Sequence, residues 1–249
     1  MDNKLHLAPL NNPQDVLDIG TGTGIWAIEF ADEYPEAKVI GIDLSPIQPS
    51  FVPPNVTFLV DDAEEQWMYS QQFDYIHGRM MTSSFTEPIK VFKQAFSNLK
   101  PGGYFEMQDI IYPIKCDDDS MKDGSAVLEW SKTILKASEK MGKSLDQALQ
   151  YRDWMRETGF VDIQETIYKW PVNTWPKGKK FKEMGMWTLE NLMAGFQGLS
   201  MALLTRGLGW TRDEVEAYLV EARQDAKDRK KHGYFPIHVF VAKKPESAT

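Results

Sequence analysis

The run Val16-Leu17-Asp18-Ile19-Gly20-Thr21-Gly22-Thr23-Gly24-Ile25-Trp26 constrains the fold more than any other stretch of the chain. Its apolar first half reads as a buried strand. Its alternating glycines read as a tight turn whose backbone approaches a ligand more closely than side chains allow, and its end opens into a helix. The first amides of that helix face whatever the turn encloses. In the dinucleotide fingerprint the third glycine stands three positions after the second, and here that position is Ile25. A nicotinamide or flavin dinucleotide therefore fits the spacing poorly.

A second apolar run, Lys38-Val39-Ile40-Gly41-Ile42-Asp43-Leu44-Ser45, carries an acid at its end. A carboxylate at the end of the second strand is placed to accept both hydroxyls of a ribose. Glycine turn and acid together predict a nucleoside-type cofactor, and the spacing suits the loop that wraps the methionine part of S-adenosylmethionine (SAM).

Further along, strands and helices alternate. Residues 1–13 hold Pro9, Asn11, Asn12 and Pro13, turn formers that leave little room for a helix before the first strand, so any N-terminal cap over the cofactor is expected to be missing or minimal. A helix is predicted from Ile25 to Tyr34 and stopped by Pro35. After the proline-rich loop 45–55, a third strand, Val56–Val60, runs into Asp61-Asp62-Ala63-Glu64-Glu65. Acids there either meet the ligand, Asp62 ahead of Asp61 as acceptor of an adenine amino group, or cap the next turn. Trp67 reads as a packing residue. A fourth strand, Phe73–Arg79, brings His77 and Arg79 to the same edge. His77 is either a general base near neutral pH or a hydrogen-bonded structural histidine, and Arg79 is a candidate to orient an anionic acceptor. Helices follow at Pro88–Leu99, Gly124–Met141 and Gln147–Thr158, with strands at Tyr104–Ile110 and Phe160–Trp170.

From Pro171 to about Lys231 the alternation breaks into two helical patterns, around 181–206 and 211–231, the second opening on the capping-box pattern Thr211-Arg212-Asp213-Glu214. Met184, Met186, Met193 and Met201, with Trp187 and Phe196, either line a substrate pocket or fill a core. The last strand, Pro236–Ala242, pairs most simply with 160–170. Residues 172–232 are then a helical insertion, pictured as a lid above the cofactor edge.

Charge and cysteine usage narrow the class. With 28 basic and 36 acidic residues the net charge is −8, and without clustered basic side chains nucleic acid is not expected as a partner. Lys177-Gly178-Lys179-Lys180 reads as a solvated loop. Cys116 is the single cysteine, which rules out an internal disulfide and a thiolate metal site. Cys116-Asp117-Asp118-Asp119-Ser120 lacks the spacing of a calcium loop, so no metal is expected. No run approaches the ~18 apolar residues of a membrane span, and Met1-Asp2-Asn3-Lys4 lacks a signal peptide's apolar core. The expectation is an intracellular protein, cytoplasmic or nuclear, folded as one domain over 1–249.

Together with Pro53-Pro54-Asn55-Val56, Phe73-Asp74-Tyr75-Ile76-His77, Leu99-Lys100-Pro101-Gly102-Gly103-Tyr104 and Gly159-Phe160, the glycine turn and Gly41-Ile42-Asp43-Leu44-Ser45-Pro46-Ile47-Gln48-Pro49 give the chain its resemblance. From about Leu7 to Pro245 it resembles the class I SAM-dependent methyltransferases, and within them the fungal LaeA-like group. The resemblance implies an α/β, Rossmann-like sheet of seven strands with the last antiparallel. It implies that Gly20, Thr21, Gly22, Thr23 and Gly24 wrap the methionine moiety with Asp18 behind them. It implies that Asp43 holds the ribose, that Leu44 packs on adenine, that Asp62 and Ala63 meet the adenine edge, that His77 lines the methionine and substrate side, and that Ser45 and Asp61 are further cofactor-binding residues. The cofactor would leave as S-adenosylhomocysteine (SAH). The group holds both methyltransferases of small-molecule pathways and a regulator that works through protein partners. Two expectations follow: a methyltransferase acting on a small-molecule oxygen or nitrogen, or a SAM-binding regulatory subunit.

Overall fold

The computed structural model describes residues 4–122 and 124–246; the first three residues of the N-terminal reading above lie outside them. Seven strands form one sheet: β1 (Asp15–Ile19), β2 (Lys38–Asp43), β3 (Val56–Val60), β4 (Phe73–Arg79), β5 (Leu99–Ile110), β6 (Val161–Pro171) and β7 (Tyr234–Lys243). Their order is β3-β2-β1-β4-β5-β7-β6. The first five run parallel, while β7 is antiparallel to both β5 and β6. The last strand thus pairs with β6 as expected, and it also separates β6 from β5.

Burial explains the placement. β7 is buried over all but its last residue and sits inside the sheet, whereas β6 carries exposed Val161, Asp162, Gln164 and Lys169 and forms the edge. β1 carries buried side chains on both faces because both are covered. On one face Val16, Val39 and Tyr75 pack under Trp26 and Phe30 of α1 (Ile25–Glu33). On the other, Leu17, Ile76 and Phe105 pack under Val91 and Phe92 of α2 (Pro88–Asn98) and Met155 of α4 (Tyr151–Thr158). A third cluster joins Trp130 and Ile134 of α3 (Ala126–Lys140), Phe196 of α5 (Lys179–Ala202) and Leu219 of α6 (Arg212–Ala226) to Tyr112 and Phe235.

Several boundaries depart from the sequence pattern. β5 starts at Leu99 rather than Tyr104, because Leu99 already pairs with Phe73 before a register shift. Of the helix expected over 147–158, the first turn is a 3₁₀ turn, Gln147–Gln150, before α4 begins. The first insertion helix ends in a π turn, Leu203–Gly207. Thr211 and Glu214 do form the full capping box of α6.

The connection from β6 to β7 leaves and returns at the carboxyl ends of the parallel strands, since Pro171 pairs with Tyr234 and Ile110 with Ile237. Its helices therefore stand over the β5-β7-β6 half of that edge and leave the β1–β4 half to loops. Phe196 is fully buried and Met193 and Met201 pack against the third cluster, but Met186 and Trp187 face solvent. Among the described residues no helix is long and apolar enough to cross a membrane.

Candidate cofactor cleft

The loops over the β1–β4 half enclose a cleft of about 530 Å³. Gly20, Asp43, Leu44, Ser45, Asp61, Asp62 and Ala63 line it, joined by Ile42 and Glu64. Its far wall comes from the segment after β4, with Met80, Met81, Ser84, Phe85 and Thr86, and from Lys143 beyond α3.

The glycine turn has the conformation its sequence demands. Gly20, Gly22 and Gly24 all have φ between +58° and +80°, the left-handed region that L side chains rarely enter. A side chain at Gly20 would collide with the Met81 sulfur at 2.2 Å, and one at Gly24 with the Phe58 ring at 2.3 Å. A side chain at Gly22, in contrast, would meet no protein atom within 4 Å, so that glycine faces open space. Thr21 donates its backbone amide to Ile42 O at 2.9 Å, which ties the turn to β2. Thr23 is exposed at the tip.

Asp43 ends β2 with both carboxylate oxygens on backbone amides: Oδ2 accepts from Gly22 N at 2.9 Å and Oδ1 from Ser45 N at 2.9 Å. Each oxygen has a second lone pair, so the carboxylate still has acceptor capacity for a ribose diol. The acids after β3 do both things the sequence left open. Asp61 Oδ1 caps Asp62 N and Asp62 Oδ1 caps Glu64 N, each at 2.9 Å, while both residues also line the cleft. The Ala63 carbonyl is taken by Trp67 Nε1 at 2.9 Å and Gln94 Nε2 at 3.1 Å, and Trp67 itself is packed in the core. Glu64 bridges the two walls, accepting from Thr86 N at 2.9 Å and Glu87 N at 2.5 Å just before Pro88 opens α2. Leu44 is 69% exposed, an apolar surface available to a flat ring.

Asp18, Thr21 and His77 form a buried network behind the turn. Asp18 Oδ2 accepts from Thr21 Oγ1 at 2.6 Å, and Asp18 Oδ1 lies 2.7 Å from His77 Nδ1. The His77 ring stacks on Trp26 with centroids 3.7 Å apart and planes 8° from parallel. His77 is fully buried and is not among the residues lining the cleft. A base must come within hydrogen-bond reach of the proton it removes, and this placement enclosed between β4 and α1 differs from the wall position expected of one. Arg79 is exposed at the end of β4 and does not line the cleft either. No residue of the 172–232 insertion lines it.

The wall after β4 went unrecognised in the sequence. Met80 and Ser83 adopt left-handed φ of +57° and +67°, unusual for residues with side chains and a feature that clusters at functional sites. Asp109, at the end of β5, braces this segment by accepting from Thr82 N at 2.8 Å and from Tyr151 Oη at 2.6 Å. Burial pushes the Asp109 carboxyl up to about 7, against the lowering effect of those hydrogen bonds. Lys143 Nζ donates to Ser84 O at 3.1 Å. The signal for this wall was weak, a strand followed by small polar residues. Away from the cleft, Asp118 is tied to Ser120, His232 and Cys116, and Asp117 to Lys169 and Tyr234. Among the described residues no cluster of three or more His, Cys, Asp or Glu side chains is arranged to hold a metal ion.

A left-handed glycine turn after β1, an acid ending β2 and a sheet whose penultimate position is an antiparallel last strand define the class I, Rossmann-like methyltransferase fold, with SAM as its cofactor. The chain belongs to the methyltransferase domain family, which matches residues 1–165, and within it to the fungal secondary-metabolism group with LaeA. It is 39% identical to the probable methyltransferase tdiE of Emericella nidulans, over 98% of this chain and 77% of that one. It is 35% identical to the secondary metabolism regulator LAE1 of Cochliobolus heterostrophus, over 98% of this chain and 82% of that one. Among solved structures, phosphoethanolamine N-methyltransferase 2 of Haemonchus contortus, in complex with phosphomonomethylethanolamine and SAH, superposes with a TM-score of 0.56 at 21% identity. That match covers 96% of this chain but 50% of the other, and it speaks for the fold alone.

Proposed function

We propose that this methyltransferase transfers the SAM methyl group to an oxygen or nitrogen of a small molecule in secondary metabolism. The observation that carries the reading is the cleft itself: an open-faced glycine turn, a ribose-ready carboxylate and an apolar wall of Met80, Met81 and Phe85 meet at one edge. In this reading Gly20 to Gly24 hold the methionine part and Asp43 accepts from the ribose hydroxyls. Leu44 covers one face of adenine, Asp62 accepts from the adenine amino group beside Ala63, and Ser45 and Asp61 complete that end.

Bound there, SAM supplies a methyl group activated by its positive sulfonium. The chain's own contribution is to align and dry the approach. Positioning of this kind accounts for much of the rate of a bimolecular transfer. Met81, buried against Gly20, sets the depth at which an acceptor meets the turn. His77 acts through Asp18 on Thr21 and the turn as a positioning residue, and Arg79 stands at the end of β4 for an anionic acceptor.

Calorimetry with SAM and SAH tests the reading. The intact chain should bind both, and Asp43→Ala should bind at least 100-fold more weakly, since two hydrogen bonds to a charged acceptor contribute roughly 3 kcal/mol or more. A folded intact chain that binds neither would sink it. A regulatory subunit remains the second reading, favoured by the exposed Phe181, Met186 and Trp187 on α5. Methyl transfer to small molecules that survives Trp187→Ala unchanged would speak for the enzyme.

A further inference from the structure

Gln48 lies in the loop between β2 and β3, within Pro46-Ile47-Gln48-Pro49, and it closes a ring of hydrogen bonds that includes Asp43 and Ser45 of the cleft wall. Its side-chain amide donates to Gly22 O at 2.7 Å and to Ser45 O at 2.9 Å. Gly22 N and Ser45 N in turn donate to the two oxygens of Asp43. Both the N–H and the C=O of Gly22 and of Ser45 are thereby engaged, and the circuit runs glycine turn, Asp43, Ser45, Gln48 and back to the glycine turn. The orientation of the amide follows from its neighbours, because an oxygen in place of the nitrogen would face two carbonyl oxygens. A second bond, Ile47 N to Ser45 O at 2.9 Å, together with the fixed φ of the two prolines, keeps the loop in the shape that delivers Gln48.

Gly22 is the glycine whose missing side chain opens onto empty space, and it is the one that Gln48 holds by its carbonyl. Without that bond the turn would keep the two Thr21 bonds to Ile42 and Asp18 and the single Gly22 amide on Asp43, and the Gly22 end would lose its tether to the 45–48 loop.

We propose that Gln48 is a positioning residue for the cofactor, a donor clamp that sets the distance between the methionine-holding turn and the ribose-holding Asp43. This rests on the SAM reading of the cleft. Because the clamp acts through its two N–H groups, what replaces them decides the outcome. The length of the side chain does not.

The test is the SAH affinity of the intact chain and three variants by calorimetry, with the melting temperature of each. Gln48→Met keeps the length and removes the donors, and should weaken SAH about tenfold, as expected for loss of two neutral hydrogen bonds in a pre-organised site. Gln48→Glu sets a carboxylate against two carbonyl oxygens and should weaken it further. Gln48→Lys restores donors at similar reach and should return affinity to within about threefold of the intact chain. Three variants that all bind like the intact chain would overturn the clamp. Equal weakening in all three, Lys included, would also overturn it, as the mark of a role in shape alone. If Gln48→Met melts below the assay temperature, the Glu against Lys contrast decides. An intact chain that folds but does not bind SAH removes the SAM reading instead, which keeps the two failures apart.

Discussion

The two ends of the same parallel strands handle their carboxylates differently. At the amino end, Asp15 and Asp74 share one cation, Lys100 Nζ, at 2.8 and 2.9 Å, and Asp74 also accepts from Gln14 N and Asp15 N. Lys100 and those amides hold the Asp74 carboxyl below the usual carboxylate range despite partial burial. At the carboxyl end, Asp43, Asp61 and Asp62 are held by backbone amides, and Asp109 by an amide and a tyrosine hydroxyl. An acid that has found its cation is finished as an acceptor site. An acid held by amides has its direction fixed while lone pairs stay available. The first arrangement serves the fold; in the second, Asp43, Asp61 and Asp62 keep acceptor capacity on the cleft wall, while Asp109 is spent bracing the segment after β4.

The contrast breaks most visibly at Asp109. Its pKa of about 7 lies above the value near 3.9 expected unfolded, so between those limits the folded chain holds a proton that the unfolded chain releases. Stability from this group is therefore lost as pH rises from about 4 to about 7. Urea unfolding at pH 5 and pH 8 should show a decline in the intact chain about 3 kcal/mol larger than in Asp109→Asn. Equal declines would mean that the acid is ionised throughout.

His77→Phe removes the partner of a buried Asp18 oxygen and should cost about 2 kcal/mol, read as a lowered urea midpoint with an unchanged slope. If stability holds and only turnover falls, His77 reaches the acceptor after all. Lys100→Met leaves two half-buried acids facing each other and should cost roughly 1 kcal/mol at low salt, less at high salt, with SAH affinity unmoved. A change in SAH affinity there would show that the two ends are coupled. The smallest effect belongs to Asp61→Asn, within about 0.5 kcal/mol of the intact chain in stability, because an exposed cleft acid supports no core.

Much of the fold was legible because it rests on short-range patterns. Val16 to Trp26 carried strand, turn and helix within one stretch, and Thr211 to Glu214 announced the start of α6 through a cap that closes on itself. That Asp43, Asp62 and Ala63 line the cleft was legible because Asp43 ends β2 and the other two follow the end of β3 closely. His77 was harder. A period of two places it on the same face of β4 as Tyr75, but only the tertiary structure shows that Trp26 of α1 covers that face. The wall from Met80 to Thr86 and the loop residue Lys143 come together across 57 positions or more of sequence and share no local pattern.

The sequence by itself determined the strand-turn-helix unit and the existence of a last strand, since each follows from backbone geometry and hydrophobic period over a dozen residues or fewer; the glycine turn with Asp43 pointed to the class of cofactor, and the last strand's antiparallel direction came from the resemblance. Tertiary structure alone decided what each polar group faces: that Lys100 neutralises the acids at one end, that Gln48 closes a ring at the other, and that the insertion stands over β5, β7 and β6 without entering the cleft. Hydrogen bonds and ion pairs act over about 3 Å, and which groups come that close depends on how distant segments pack.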